Sequence, residues 1–251
     1  MKRSIIVGNW KMYLTSLADA HVLTTTIRNN IEKLANIEVV LCPPFLWLTE
    51  MAGIIGHGDG AIKLGGQDVF YEQTGAYTGE VSPLMLKEAA HYVIIGHSER
   101  REYFGETDMD INEKVISALR AGLTPIICVG EKKRSLNASE PYHQLKEALM
   151  HVPKIHYKDI VIAYEPIWAI SDGKSGNNAE PEYVARVITR LRELVHFDTP
   201  ILYGGSVKPS NVEKYAKRPE IDGVLVGGAS IRATEFIKIC KLWYQRKGFK
   251  K

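Results

Sequence analysis

Four residues of types that move protons or hold charge stand at the ends of short apolar runs. Asn9 and Lys11 follow residues 5–7, His97 follows 92–96, and Glu165 follows 160–163. A positioned carboxylate can serve as a base, an imidazole can polarise a carbonyl, and an ammonium can hold developing negative charge. Pro166 cannot donate to a sheet ladder, so the run ahead of Glu165 stops there. Behind it come Ile167-Trp168-Ala169-Ile170 and a small polar tip from Ser171 to Gly176. This order reads as a carboxylate on a rigid rim with a movable cover attached directly behind it.

Two glycine turns, Gly204-Gly205-Ser206 and Gly227-Gly228, each precede a helix-forming segment. Without a Cβ, their backbone N–H groups can approach an anion, and helix starts favour negative charge. Either alone reads equally well as an ordinary tight turn; the pair, on successive apolar runs, favours a phosphate site. His97 precedes Ser98-Glu99, a helix-start pattern. The positive end of that helix disfavours the imidazolium and leaves a neutral ring that can donate a hydrogen bond. Against these readings stand a scaffold histidine, a solvated loop lysine and a surface carboxylate. The cover behind Glu165 weighs against the last, because a closed, dry site is where a base is useful.

The elements that must position these groups follow from periodicity. Apolar runs at residues 5–7, 39–42, 61–65, 92–96, 124–129, 160–165, 200–203 and 223–226 read as strands. Helical patterns lie between them, at about 17–34, 45–55, a segment starting at Ser82-Pro83, 98–122, 142–150, 181–195, 210–216 and 233–243. Continuous apolar strands belong to a parallel sheet buried on both faces. The alternation fits a doubly wound sheet or a closed barrel, but Gly8-Asn9-Trp10-Lys11 is not the Gly-x-Gly-x-x-Gly a dinucleotide fold would carry. The expected fold is therefore a (β/α)8 barrel, with residues 1–251 as one domain. In such a barrel Asn9, Lys11, His97, Glu99, Glu165, Ser206, Gly227 and Gly228 share one rim, at the carboxyl ends of the strands.

Composition narrows the class further. A net charge of +3 is too small and scattered for nucleic-acid binding, and the basic tail reads as a solvated end. The three cysteines, Cys42, Cys128 and Cys240, lie far apart and suit reduced thiols. No run reaches the ~18 apolar residues of a membrane helix, and the run behind Met1-Lys2-Arg3 is too short for a signal peptide. A soluble, cytoplasmic protein is expected. No His, Cys, Asp and Glu grouping has metal spacing, so no metal and no other cofactor are expected.

Several segments together closely resemble triosephosphate isomerases: Gly8-Asn9-Trp10-Lys11-Met12, Gly75-Ala76-Tyr77-Thr78-Gly79-Glu80, Ile95-Gly96-His97-Ser98-Glu99-Arg100-Arg101 and Ile127-Cys128-Val129-Gly130-Glu131. Ala163-Tyr164-Glu165-Pro166-Ile167-Trp168-Ala169-Ile170, Tyr203-Gly204-Gly205-Ser206-Val207 and 222–230 complete the set, in the family's order. The resemblance implies interconversion of dihydroxyacetone phosphate and glyceraldehyde 3-phosphate through an enediolate, a step of glycolysis and gluconeogenesis. It implies Glu165 as the proton carrier, neutral His97 as the electrophile, and Lys11 with Asn9 on the substrate oxygens and charge. Glu99 would be a buried partner behind them. Main-chain N–H groups of Ser171, Ser206, Gly227 and Gly228 would hold the phosphate. It further implies a homodimer in which the 67–80 loop inserts beside Asn9 and Lys11 of the partner subunit. That loop is long for a compact domain, which fits a functional role.

Four positions depart from the family pattern. Ser171-Asp172-Gly173 stands where Gly-Thr-Gly is usual, Gly176 where Ala is common, and Tyr13 where a smaller polar residue is usual. They bear on cover closure, phosphate affinity and the edge of the dimer contact. A barrel aldolase would need a Schiff-base lysine on a central strand, where this chain has Glu165. A non-catalytic phosphate-binding barrel would not need Asn9, Lys11, His97 and Glu165 together.

Overall fold

A computed structural model of the chain describes residues 4–31, 34, 36–56, 60, 62–135, 137–170 and 178–248. Eight strands, β1 (Ser4–Asn9), β2 (Ile37–Cys42), β3 (Ile62–Gly66), β4 (Tyr92–Ile95), β5 (Thr124–Val129), β6 (Val161–Tyr164), β7 (Ile201–Tyr203) and β8 (Gly223–Val226), pair in chain order. Every pairing is parallel, and β1 pairs with β8 to close the barrel. Strand residues alternate between two apolar sets, as a period of two requires. Ile5, Val7, Val40, Ile94, Ile126 and Ala163 belong to a cluster inside the barrel. Ile6, Val39, Ile95, Ile127, Ile162 and Val224 face the helices instead. With both faces covered, a continuous apolar run is the pattern that works, which is why β4 and β5 read so clearly.

The helices among the described residues are α1 (Leu17–Ile31), α2 (Phe45–Ile55), α3 (Pro83–Lys87), α4 (Ser98–Tyr103), α5 (Asp108–Arg120), α6 (Ser139–Ala148), α7 (Pro181–Arg192), α8 (Val212–Ala216) and α9 (Ala233–Lys247). The expected single helix over 98–122 is two. Gly105 has φ +71°, outside the helical region, and Thr107 caps a fresh start. The Thr107 hydroxyl accepts from the Asp110 N–H at 3.2 Å, and the Asp110 carboxylate accepts from the Thr107 N–H at 2.8 Å, a reciprocal capping box. The last helix also runs past Trp243 to Lys247, with Gly248 in the left-handed region ending it.

The long loop after β3 carries a packed aromatic group. Phe70 stacks on Tyr71 at 4.2 Å and lies 4.6 Å from Tyr77, while residues 72–80 are exposed throughout. No described helix is long and apolar enough to cross a membrane.

Candidate active site

The rim expected from the strand ends is present. Asn9 ends β1, His97 stands two residues past β4, Glu165 follows β6 directly, Gly204–Ser206 follow β7, and Gly227-Gly228 follow β8. A cleft of about 310 Å³ opens there, lined by Lys11, His97, Ile170, Gly204–Ser206, Gly227 and Gly228, with Tyr13, Lys208 and Arg232 among its outer residues. That volume suits a small polar ligand.

Lys11 is built into place rather than left on a free loop. Its φ is +49°, a region non-glycine residues seldom occupy. The Asn9 Oδ1 accepts from the Lys11 N–H at 3.0 Å and offsets that strain. The Gln67 amide donates to the Lys11 carbonyl at 2.8 Å and to that of Cys42 at 2.9 Å. The Lys11 ammonium meets Glu99 Oε1 at 2.5 Å. The expectation that Glu99 is buried does not hold, because its side chain is 40% exposed. It projects from the first turn of α4 over the open rim, where the lysine is its counter-charge.

His97 caps α4, its Nδ1 accepting from the Glu99 N–H at 3.2 Å. With Nδ1 used as acceptor, Nε2 is the nitrogen left to carry a hydrogen. Nε2 lies 3.4 Å from Glu165 Oε1. Short α4 is anchored from below by buried charge: Arg100 pairs with Asp68 at 2.9 Å and with Glu106, and Lys114 reaches both acids. Burial holds the Asp68 carboxyl above its ordinary range, against the pull of Lys114. Opening one such pair leaves an uncompensated buried charge, at a cost of about 3–5 kcal/mol.

Glu165 is 1% exposed. Its Oε2 accepts from the Ser98 N–H at 3.3 Å, and Oε1 has no hydrogen-bond partner among the described residues. Its carboxylate does not line the large cleft. It backs on a void of about 10 Å³ shared with Cys128, Gly130 and Ile167. Burial, reinforced by the Glu165 carboxylate, pushes the Cys128 thiol well above its ordinary value. Two glycines make the room. A Cβ on Gly130 would fall 1.7 Å from the Glu165 carbonyl oxygen, and one on Gly204 would fall 2.7 Å from its Cγ.

The glycine turns differ from each other. A Cβ on Gly228 would meet nothing within 4 Å, so packing does not demand glycine there, whereas close approach of a ligand would. Gly228 also opens a 3₁₀ turn to Ile231, whose first N–H groups have no acceptor within the turn. The Ser206 N–H, expected to face a ligand, instead donates to the Ala169 carbonyl at 3.3 Å, because the turn after Glu165 packs on this loop. The Ser206 carbonyl accepts from the Asn211 amide at 2.9 Å, which fixes the loop's shape. Ser171, together with the tip and rear of the cover, lies outside the described residues.

Sequence reading gave no part in the site to Gln67, Ser98, Gly130 or Asn211, and it read Gly204 as part of a phosphate turn rather than as the space beside Glu165. Gly130 and Gly204 carried a signal, a glycine ending an apolar run, but not the identity of the neighbour that needs the space. Among the described residues, no three His, Cys, Asp or Glu side chains converge as a metal site would require.

A parallel barrel with a carboxylate, an imidazole and an ammonium at its carboxyl rim, around a polar cleft, has the architecture of a (β/α)8 enzyme. Residues 4–243 match the family model described as triosephosphate isomerase. The chain is 46% identical over 250 residues to the triosephosphate isomerase of Dehalococcoides mccartyi strain CBDB1, covering 96% of both chains. It is 46% identical over 249 residues to that of Thermoanaerobacter sp. strain X514, covering 95% of this chain and 99% of the relative. The crystal structure of triosephosphate isomerase from Bartonella henselae superposes with a TM-score of 0.80 at 35% identity, covering 96% and 99% of the two chains. The chain belongs to the triosephosphate isomerase family.

Proposed function

We propose that this chain, as one barrel unit over residues 1–251, interconverts dihydroxyacetone phosphate and D-glyceraldehyde 3-phosphate in glycolysis and gluconeogenesis. The observation that carries the mechanism is the 3.4 Å separation of Glu165 Oε1 and His97 Nε2 at a rim shared with Lys11 and the glycine turns. Glu165 takes a proton from the carbon next to the carbonyl. The C–H electron pair becomes the new carbon–carbon double bond, and the carbonyl oxygen takes up the negative charge. His97 Nε2–H and the Lys11 ammonium stabilise that oxygen, and Asn9 holds Lys11 in its strained turn. Glu165 returns the proton to the neighbouring carbon while the hydroxyl protons redistribute. The Gly227 and Gly228 N–H groups hold the phosphate, and Ser206 joins them once its N–H leaves Ala169.

Because the carboxylate bonds the Ser98 N–H and stands outside the cleft lining, the reaction requires it to swing toward the substrate. Homodimerisation through the 67–80 loop is part of the same reading. It is supported by the exposed loop tip and by Met12 and Tyr13, 87% and 56% exposed beside the cleft. A cytoplasmic setting is supported by three free, buried thiols.

The test is a coupled assay with glyceraldehyde 3-phosphate on wild type and Glu165→Gln. Activity that the substitution nearly abolishes is expected; equal rates in the two proteins would remove Glu165 from the mechanism.

A further inference from the structure

Glu131, two residues past β5, is fully buried, and one of its oxygens gathers three donors. Oε1 accepts from the Tyr164 hydroxyl at 2.7 Å, the Trp168 indole N–H at 2.9 Å and the Tyr183 hydroxyl at 3.0 Å. Oε2 has no partner among the described residues, so the side chain's whole hold on its neighbours runs through Oε1. The donors come from β6, from the turn behind Glu165, and from the first turn of α7.

Tyr183 does more than share an acceptor. Its ring meets Trp168 edge-on, with centroids 5.6 Å apart and planes at 71°. The Arg134 guanidinium covers both rings, 4.7 Å from the centroid of Tyr183 and 5.9 Å from that of Trp168. Glu180 pairs with Arg134 at 2.6 Å and orients it. The Tyr183 oxygen also accepts from the Ser135 N–H at 3.1 Å and lies 2.9 Å from the Ser135 carbonyl. A phenol has one proton, and of its two acceptors the carboxylate oxygen is the stronger.

We propose that Tyr183 is a positioning residue for the isomerisation, locking the turn behind Glu165 through Glu131 and Trp168. That turn, Ile167–Ala169, is joined to Glu165 only by Pro166, whose φ is fixed. Its Ile167 N–H donates to the Glu131 carbonyl at 3.0 Å, and its Ala169 carbonyl holds the Ser206 N–H at 3.3 Å. Movement of Trp168 therefore reaches the base on one side and a phosphate-turn amide on the other.

The kinetic half of this inference rests on the isomerase reading of Glu165; the structural half does not. Tyr183→Phe keeps the ring and removes the donor. Protein labelled with 5-fluorotryptophan reports Trp168 by 19F NMR, its resonance assigned with Trp168→Phe. In Tyr183→Phe the Trp168 resonance should move while those of buried Trp10 and Trp243 stay. The kcat should fall roughly threefold to tenfold, the net worth of one typical intramolecular hydrogen bond, with KM moving less.

Arg134→Lys keeps the partner for Glu180 but loses the planar stack, and should act in the same direction with a smaller effect. Its half-exposed position makes it the working variant should Tyr183→Phe fail to fold. An unmoved Trp168 resonance overturns the proposal, and so does a moved resonance with wild-type kcat. If the wild type itself lacks isomerase activity, the isomerase reading falls, and a Trp168 resonance indifferent to both variants separately refutes the lock.

Discussion

Replacing Gly130 by alanine tests whether the barrel wall positions the base. A Cβ there would sit 1.7 Å from the Glu165 carbonyl oxygen and 2.6 Å from its carbonyl carbon, both main-chain atoms. The closest ordinary carbon–oxygen approach is about 3.3 Å, so β5 and the end of β6 must part by roughly 1.5 Å. Neither side gives easily. Gly130 N–H donates to the buried Gln144 amide oxygen at 2.8 Å, and Glu165 N–H donates to the Val129 carbonyl at 2.8 Å. Overpacking of this kind costs about 1–3 kcal/mol, which a domain stable by about 5–15 kcal/mol survives. A reacting group misplaced by about 1 Å costs about a hundredfold in rate, or about 2.7 kcal/mol of barrel-supplied positioning. The coupled isomerase assay should then show kcat reduced about a hundredfold, with KM changed much less, because Lys11 and Gly227-Gly228 lie just past β1 and β8, away from this contact. Circular dichroism should report a folded protein with a lower Tm. A folded variant with wild-type kcat would refute the view that this contact sets the stance of Glu165.

Two further outcomes concern stability and thiol access. Thr107→Ala removes the capping box that starts α5 and should cost about 1 kcal/mol in urea unfolding. The Thr107 hydroxyl and N–H hold the Asp110 carboxyl below its ordinary value of 3.8. Its folded pKa is thus depressed, and its contribution is present above pH 3.8 and lost as pH falls through the folded value. The wild-type advantage over Thr107→Ala should accordingly narrow in acid, as melting curves taken between neutral pH and pH 3 would record. The three thiols are buried, and burial pushes each above its ordinary value. A thiol-reactive dye should label native protein negligibly and all three sites after denaturation; fast labelling of the native state would contradict the burial.

Legibility in the sequence followed the range of the interactions. Strands buried on both faces announced themselves as apolar runs, and the rim residues followed once the runs were counted as eight. Helix breaks were harder, because Gly105 and Thr107 act through a single φ value and a pair of hydrogen bonds inside an otherwise helical pattern. The exposure of Glu99 and the engagement of the Ser206 N–H depend on how one loop lies over another, and neither leaves a local pattern.

The order of residue types along the chain determined the barrel, the rim and the chemical character of Asn9, Lys11, His97 and Glu165, because strand period and strand ends are local properties. Only the tertiary structure decided which atoms meet: Gly130 and Gly204 making room for Glu165, and Tyr183 joining Tyr164 and Trp168 on Glu131. Those contacts join residues up to 52 positions apart (Glu131 to Tyr183) across different strands and helices. Barrel closure brings such pairs to contact distance, and no spacing in the sequence says which atoms then meet.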